Sequence, residues 1–294
     1  MRISSTPGSR EEPSRSAVFA QLKRTFNNGP VIVALLVLGA IVFIAFSAPL
    51  LGTVDPTAID PGERLRRISS GHWLGTDAFG RDLYSRVMFG GRASLLIGLG
   101  AAVLSVTLGL VIGVVAGYVR AIDGLIMRVM DGAMAIPGIL LAIALVALAK
   151  ASLFIVIFAI ALPEIPRVVR LVRSVTLTLR GEPYVEAAIA LGTRAPALLL
   201  RHIVPNTIPP IIVQGTFIFA SAMLTEASMS FLGVGLPPEI PSWGNIMAEG
   251  RMYFQMLPGL ILFAGILLAL TVLSVNVLGD AMRDALDPRM AGKV

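Results

Sequence analysis

Between Arg24 and Asp55 the chain runs from Thr25 to Val54, 30 residues, without one ionisable side chain. A helix needs about 20 mostly apolar residues to cross a bilayer, so a stretch like this constrains the fold more than any motif does. It is not alone. Ala93–Val119 is free of charge for 27 residues and Met252–Gly279 for 28. His202–Thr225 is another such stretch, with Pro209 and Pro210 near its start. Gly132–Lys150 makes a span if it begins earlier, near Leu125. Ala151–Pro163 has only 13 residues and spans only if Glu164 and Arg167 reach an interface by snorkelling. Six spans is the resulting count, and the third and fourth could instead be one span plus a re-entrant segment. Hydrophobic residues make up 55% of the chain and charged ones 14%, against about 25% charged in soluble domains. That balance excludes a soluble globular chain and a disordered one. The expected class is an all-α polytopic membrane protein with about six transmembrane helices.

Lysine and arginine set the expected orientation. A leader, 1–24, holds Arg2, Arg10, Arg15, Lys23 and Arg24; the segment between spans four and five holds Arg167, Arg170, Arg173, Arg180, Arg194 and Arg201; the tail holds Arg283, Arg289 and Lys293. With Arg120 these fall on one side, which puts both termini in the cytoplasm. The loop 55–92 objects, because it lies outside in this scheme yet carries Arg64, Arg66, Arg67, Arg81, Arg86 and Arg92. The first apolar run is longer than a signal-peptide core and follows a polar leader, so it reads as a retained span, 25–54. Spans two to six occupy 93–280, and the tail is 281–294. The net charge of +6 comes from basic residues placed between apolar spans, which reads as topology and not as a nucleic-acid surface. There is no cysteine, which removes disulfides and thiolate chemistry.

Within the spans, Gly109, Gly113 and Gly117 recur every fourth residue and line one helix face with no side chain. Static close packing is the favoured reading over a moving seam. Asp131 and Glu226 are carboxyls at or inside spans, where such groups are rare; structural pairing is favoured over proton relay. His72 lacks catalytic or metal partners in sequence and reads as loop packing. Trp243, in the turn Pro241–Gly244, reads as an interface anchor. No phosphate-binding loop, zinc-helix motif or nucleophile elbow is present.

The most informative stretch is 180–206, RGEPYVEAAIALGTRAPALLLRHIVPN. It is too polar to span, yet Val185, Ala188, Ile189, Leu191, Leu198, Leu199 and Leu200 give it apolar surface. A short helix ending near Gly192, a turn, and a second helix ending before Pro205 is the expected shape. Such a segment needs a partner surface, either the membrane or another protein.

Glu186, Ala187 and Ala188, with Gly192 and Pro205 at their spacing, resemble the EAA loop of importer-type ABC transporter permeases. RHIVPN is similar to the RHILPN form found in peptide permeases. Residues 71–97 and 230–251, and the tail GDAMRDALDPR, are similar to the C-type permease of dipeptide and oligopeptide importers. The resemblance covers roughly 25–290. It implies that 93–280 is a permease core and that 180–206 is a coupling-helix loop seated in a groove on an ATPase. It also implies a place in the bacterial inner membrane, a second related permease, two cytoplasmic ABC ATPases that use ATP and Mg²⁺, and an extracytoplasmic solute-binding protein. No cofactor, metal or catalytic residue is expected in this chain. The solute is implied to be a dipeptide or oligopeptide, with nickel complexes, opines and oligosaccharides also served in the family. The alternative reading is a stand-alone proton-coupled transporter using Asp131 and Glu226; an intramembrane enzyme ranks last.

Overall fold

The computed structural model describes residues 27–286, so the leader 1–24 and the tail residues 287–294, with Arg289 and Lys293, lie outside it. Helices dominate: α1 Gly29–Ser47, α2 Leu83–Tyr118, α3 Arg120–Met134, α4 Gly138–Leu148, α5 Leu153–Ala161, α6 Ile165–Arg180, α7 Pro183–Ala190, α8 Ala195–Leu198, α9 Val204–Phe231, α10 Trp243–Gly250 and α11 Gly259–Leu286. Among the described residues the only β pairing is the isolated bridge Thr76–Asp82. Side-chain oxygens mark several starts: Asp82 accepts from the Ser85 amide, Ser152 from Ile155 and Ser242 from Asn245. Each satisfies an amide that the first helical turn leaves open.

Four helical stretches, Gly29–Leu50, Leu83–Tyr118, Ala195–Phe231 and Gly259–Leu286, are long and apolar enough to cross a membrane. A fifth is α3 with α4, if this pair counts as one span bent by 84°. The bend has a local cause. Pro137 has no amide to extend α3 and biases Ile136 away from helix, so α4 starts afresh. The count of six drawn from charge gaps is not reached by length and apolarity. The remaining passage, α5 and α6, has an apolar part of only 9 residues followed by 16 that include Arg167, Arg170 and Arg173. The chain does not leave the helix after Pro163. A 3₁₀ turn, Leu162–Glu164, joins α5 to α6 in helical conformation, and Pro163 and Pro166 each sit in the first turn of a new segment. A proline there sacrifices no bond.

The tightest pairing is α2 against α5 and α6, which run parallel. Ser105 Oγ donates to the Ala161 carbonyl at 3.0 Å. Below it Gly109 faces Val168, Gly113 faces Val172 and Gly117 faces Thr176. A methyl at Gly113 would lie 2.7 Å from Val172 Cβ and 2.8 Å from the Val169 carbonyl; one at Gly117 would lie 2.6 Å from Thr176 Cβ. Glycine is what lets the β-branched ridge of α6 reach the α2 backbone. α9 runs back against α2, with Gly98 under Met223 and Phe219, and α11 closes on α9 where Gly279 meets Thr216.

One end of the bundle is capped by 48–82 and 232–258. Gly80, at φ +77°, presses so closely on the Asp60 carbonyl that no side chain fits. Asp77 accepts from the amides of Phe79 and Arg81 and pairs with Arg81 Nε at 2.6 Å. Arg81 and Arg86 both reach Glu249 of α10, at 2.5 and 3.1 Å. His72 Nδ1 lies 2.9 Å from Asp82 Oδ1, inside the loop packing. Five of the six arginines of 55–92 have partners within the fold: besides Arg81 and Arg86, Arg64 donates to the Ala78 carbonyl, Arg66 pairs with Glu63, and Arg92 donates to the Ala45 and Phe46 carbonyls near the end of α1, while Arg67 is exposed.

Trp243 is not an interface anchor. It is 1% exposed, and its indole donates to the Val87 carbonyl at 3.0 Å. With its polar edge satisfied inside, the ring gains nothing from headgroups. Trp73, against Tyr84 at 5.0 Å between ring centres, is the exposed tryptophan of this end.

Burial holds the Glu249 carboxyl above its usual range, with Arg86 and Arg81 opposing that rise. The native protein therefore keeps this proton to higher pH than the unfolded chain. The contribution is whole below the unfolded value of about 4.3 and is lost as pH rises through the folded value. Melting in detergent across that interval should lose part of its pH dependence in Glu249→Gln. An unchanged pH profile would remove Glu249 as its source.

Candidate functional site

At the opposite end of the bundle, α6 leads into 180–206. Arg180 donates to the carbonyls of Gly117 and Tyr118 at 3.3 and 3.0 Å and lies over the Tyr118 ring. A cation here satisfies the carbonyl end of α2. Only Gly181 and Glu182 intervene before α7, which opens on Pro183 with Glu186 in its first turn.

The end of α7 is a closed motif. The Thr193 amide donates to the Ala188 carbonyl at 3.0 Å, and the Gly192 amide to Ile189 at 2.9 Å, with Gly192 at φ +78°. This is a Schellman arrangement, in which glycine takes the left-handed conformation other residues resist. Nothing lies within 4 Å of where a Gly192 side chain would begin, so backbone conformation and not space demands glycine. α8 follows, then a π turn, Leu199–Ile203, then α9. Pro205, in the first turn of α9, contributes no amide, and Asn206 Nδ2 donates to the His202 carbonyl at 2.7 Å.

Val185, Leu198 and Ile203 are fully buried and hold the two short helices to the bundle. Ile189, Leu191 and Leu200 point away from it, with Leu191 87% exposed. Glu186 and Ala187 are also exposed, and Ala188 is half-buried. Glu186, Ala187, Ala188 and Gly192 thus share one helix and its cap, while Pro205 begins the next long helix. Gly109, Gly113 and Gly117 lie apart in the α2–α6 seam, joined to the segment through α6 and Arg180 and through Leu199 and Val204, which pack on the cluster that holds Val114, Val168 and Val172.

The carboxyls divide. Asp131 on α3 accepts from Arg170 Nη2 at 2.5 Å, and Asp123 is gripped by Arg173 through two bonds of 2.5 and 2.6 Å. Glu226 on α9 is buried, and its partners are the hydroxyls of Ser230 and Ser242, at 2.9 and 2.7 Å. Structural pairing is the expectation for Asp131 and the structure shows it, whereas its partner Arg170, the Asp123–Arg173 pair and the π turn escaped the reading of the sequence. Acids eight apart on α3, beside arginines three apart on α6, were the available signal for the pairs; the π turn has none.

Apolar helices packed through a glycine seam, with the short helices α7 and α8 fixed to their end, define an integral-membrane protein. Residues 105–292 match the model of the binding-protein-dependent transport system inner membrane components, and the chain belongs to that family. It is 52% identical, over 84% of both chains, to the probable peptide ABC transporter permease protein y4tQ of Sinorhizobium fredii. It is 42% identical to the dipeptide transport system permease protein DppC of Alkalihalophilus pseudofirmus, over 95% of this chain and 90% of that one. To the glutathione transport system permease protein GsiD of Pectobacterium atrosepticum it is 39% identical, over 85% and 84%. The chain is a permease subunit of an ABC importer of the inner membrane, and ATP hydrolysis belongs to separate subunits. The stand-alone proton-coupled reading gains no support from these relatives.

Proposed function

We propose that residues 180–206 are the coupling segment of a peptide importer and seat in a groove on a cytoplasmic ATPase. One observation carries this: a Schellman-closed pair of short helices holds Ile189, Leu191 and Leu200 out from the bundle, with nothing among the described residues to cover them. An apolar ridge on a short fixed helix suits insertion into a groove. The segment joins the α2–α6 seam without slack, so a push on α7 is delivered to a packed pair of helices and not absorbed in a loop.

On this reading the 180–206 end is cytoplasmic. The start of α1 and the end of α11 share that end of the bundle, so both chain flanks would be cytoplasmic. The opposite cap would face the solute-binding protein. A second related permease completes the path, and two ATPases using ATP and Mg²⁺ bind below. The solutes are short peptides, in keeping with the peptide, dipeptide and glutathione systems to which the relatives belong.

The test is gentle extraction from the native membrane, affinity capture of the chain and mass spectrometry of its companions. Gly192→Ala should strain the turn by about 1–2 kcal/mol without touching any neighbour, and Gly192→Trp adds bulk at the tip. Both variants should retain the second permease, and Gly192→Trp should lose most of the ATPase. Wild-type ATPase recovery and uptake in Gly192→Trp and in Glu186→Lys would reject the coupling assignment.

A further inference from the structure

The exposed face of α6 has the wrong chemistry for lipid. Its buried face is Val168, Val169, Val172 and Thr176. Its exposed residues are Arg167, Arg170, Ser174 and Thr178, with Leu177 the one large apolar side chain among them. The side chains of Arg167 and Arg170 are 58% and 45% exposed.

Depth makes this decisive. α5 and α6 run alongside α2, with Ala161 level with Ser105 and Val172 level with Gly113. Arg167 and Arg170 lie between those levels, beside the interior of the charge-free stretch 93–119. A bilayer core about 20 helical residues thick, centred on that stretch, includes both arginines. Between those levels the exposed residues of α2 are Thr107, Leu108 and Val111, with Leu99 and Val103 exposed further along the same helix, and none of them is charged. A charged side chain at the centre of a bilayer costs about 2.5–3.5 kcal/mol on insertion scales, and such residues therefore face protein interiors or water-filled cavities. On that placement Arg167 lies too deep for the snorkelling to an interface expected from its sequence position. Instead it pairs with Glu164 at 2.9 Å, one turn back on the same helical path.

The charges balance. Arg167, Arg170 and Arg173 are each matched by an acid, Glu164, Asp131 and Asp123 respectively. A strip of this kind offers donors and acceptors in alternation without a net field. A solute carrying an ammonium, a carboxylate and amides can exchange partners along it, while a simple ion of either sign finds no excess of opposite charge.

We propose that this face of α6 is a wall of the aqueous path taken by the transported solute, and that its chemistry suits a short zwitterionic peptide. The proposal rests on the importer reading and assigns the path within it. Because the chain has no cysteine, single substitutions label it at one site, and the labelled chain can be resolved from its partners after reaction of the assembled complex in proteoliposomes. Ser174→Cys and Leu171→Cys probe the face while keeping both arginines. Val103→Cys is the lipid-facing control, and Ser70→Cys, in the exposed loop, is the bulk-water control. The probe is a cationic methanethiosulfonate, applied without nucleotide and with ATP plus vanadate.

The two α6 cysteines should react at least about tenfold faster than Val103→Cys, as water contact and not lipid contact implies, and their rates should change with nucleotide. Rates no faster than Val103→Cys in both states mean that lipid or the second permease covers the face, and overturn the proposal. Rates matching Ser70→Cys and indifferent to nucleotide mean that the face lies in bulk water beyond the bilayer, and overturn it equally. A second readout is uptake of alanyl-alanine, which should fall in Arg167→Gln with Arg170→Gln; unchanged uptake also overturns it. Recovery of the ATPases with any of these cysteine variants keeps a failure here separate from a failure of the importer reading.

Discussion

Gly113→Leu should leave little folded permease to purify. A first carbon at this position already meets Val172 Cβ at 2.7 Å and the Val169 carbonyl at 2.8 Å. The carbonyl belongs to α6 backbone and cannot rotate aside, so the helices must separate. Adding even one methylene to a full core costs about 1–3 kcal/mol, and a leucine adds several carbons. Separation also undoes the contacts at Gly109 and Gly117 on the same face. In lipid no hydrophobic force drives the helices back together, because packing itself is what holds them. The contrast is Gly215→Ala on α9, whose new methyl would meet only Val106 Cγ2 at an ordinary 3.6 Å. Fluorescence-detected size exclusion and a detergent melt would measure both. A Gly113→Leu protein that is monodisperse with a wild-type melting temperature would mean that the seam is not close-packed.

Arg86→Met should be nearly as damaging, at the other end of the bundle. Arg86 is 1% exposed and pairs with Asp77 and Glu249, which Arg81 also holds. Its loss leaves the buried Asp77 and the half-buried Glu249 carboxylates sharing one guanidinium. Removing one partner from a buried charge network costs about 3–5 kcal/mol. The effect should appear as undocking of 48–82 and α10, read by proteolysis within 55–82. Adding Glu249→Gln removes one of the stranded charges and should return part of the loss. If the double variant is no more stable than the single one, the cost lies in lost packing and not in the charge network.

The long spans were legible because they need only one property. Thr25–Val54, Ala93–Val119 and Met252–Gly279 contain no charge, and each holds a long helix. The third and fourth passages were not, because their residues serve two environments at once. Asp131 and Arg170 look like the ends of spans when counted as charges, yet they face each other across α3 and α6. A count of charges along the chain cannot register pairing across it. Trp243 shows the same limit: beside a turn it resembles an anchor, and only the Val87 carbonyl and Ser94 hydroxyl reveal a core residue. At 180–206, by contrast, local rules were enough for Gly192, because a Schellman cap is written in one short stretch. The π turn at Leu199–Ile203 has no such local signature.

The junction between α6 and α7 has a mechanical consequence. Two residues, Gly181 and Glu182, are all that separate these helices, and two residues can reach at most about 7 Å. The tip of the segment and the shaft formed by α6 therefore turn like a crank and its axle, with almost no play. On the proposed reading, timing in this importer is a matter of linkage geometry: a few flexible residues spliced between Arg180 and Pro183 would leave every part intact and the stroke undelivered.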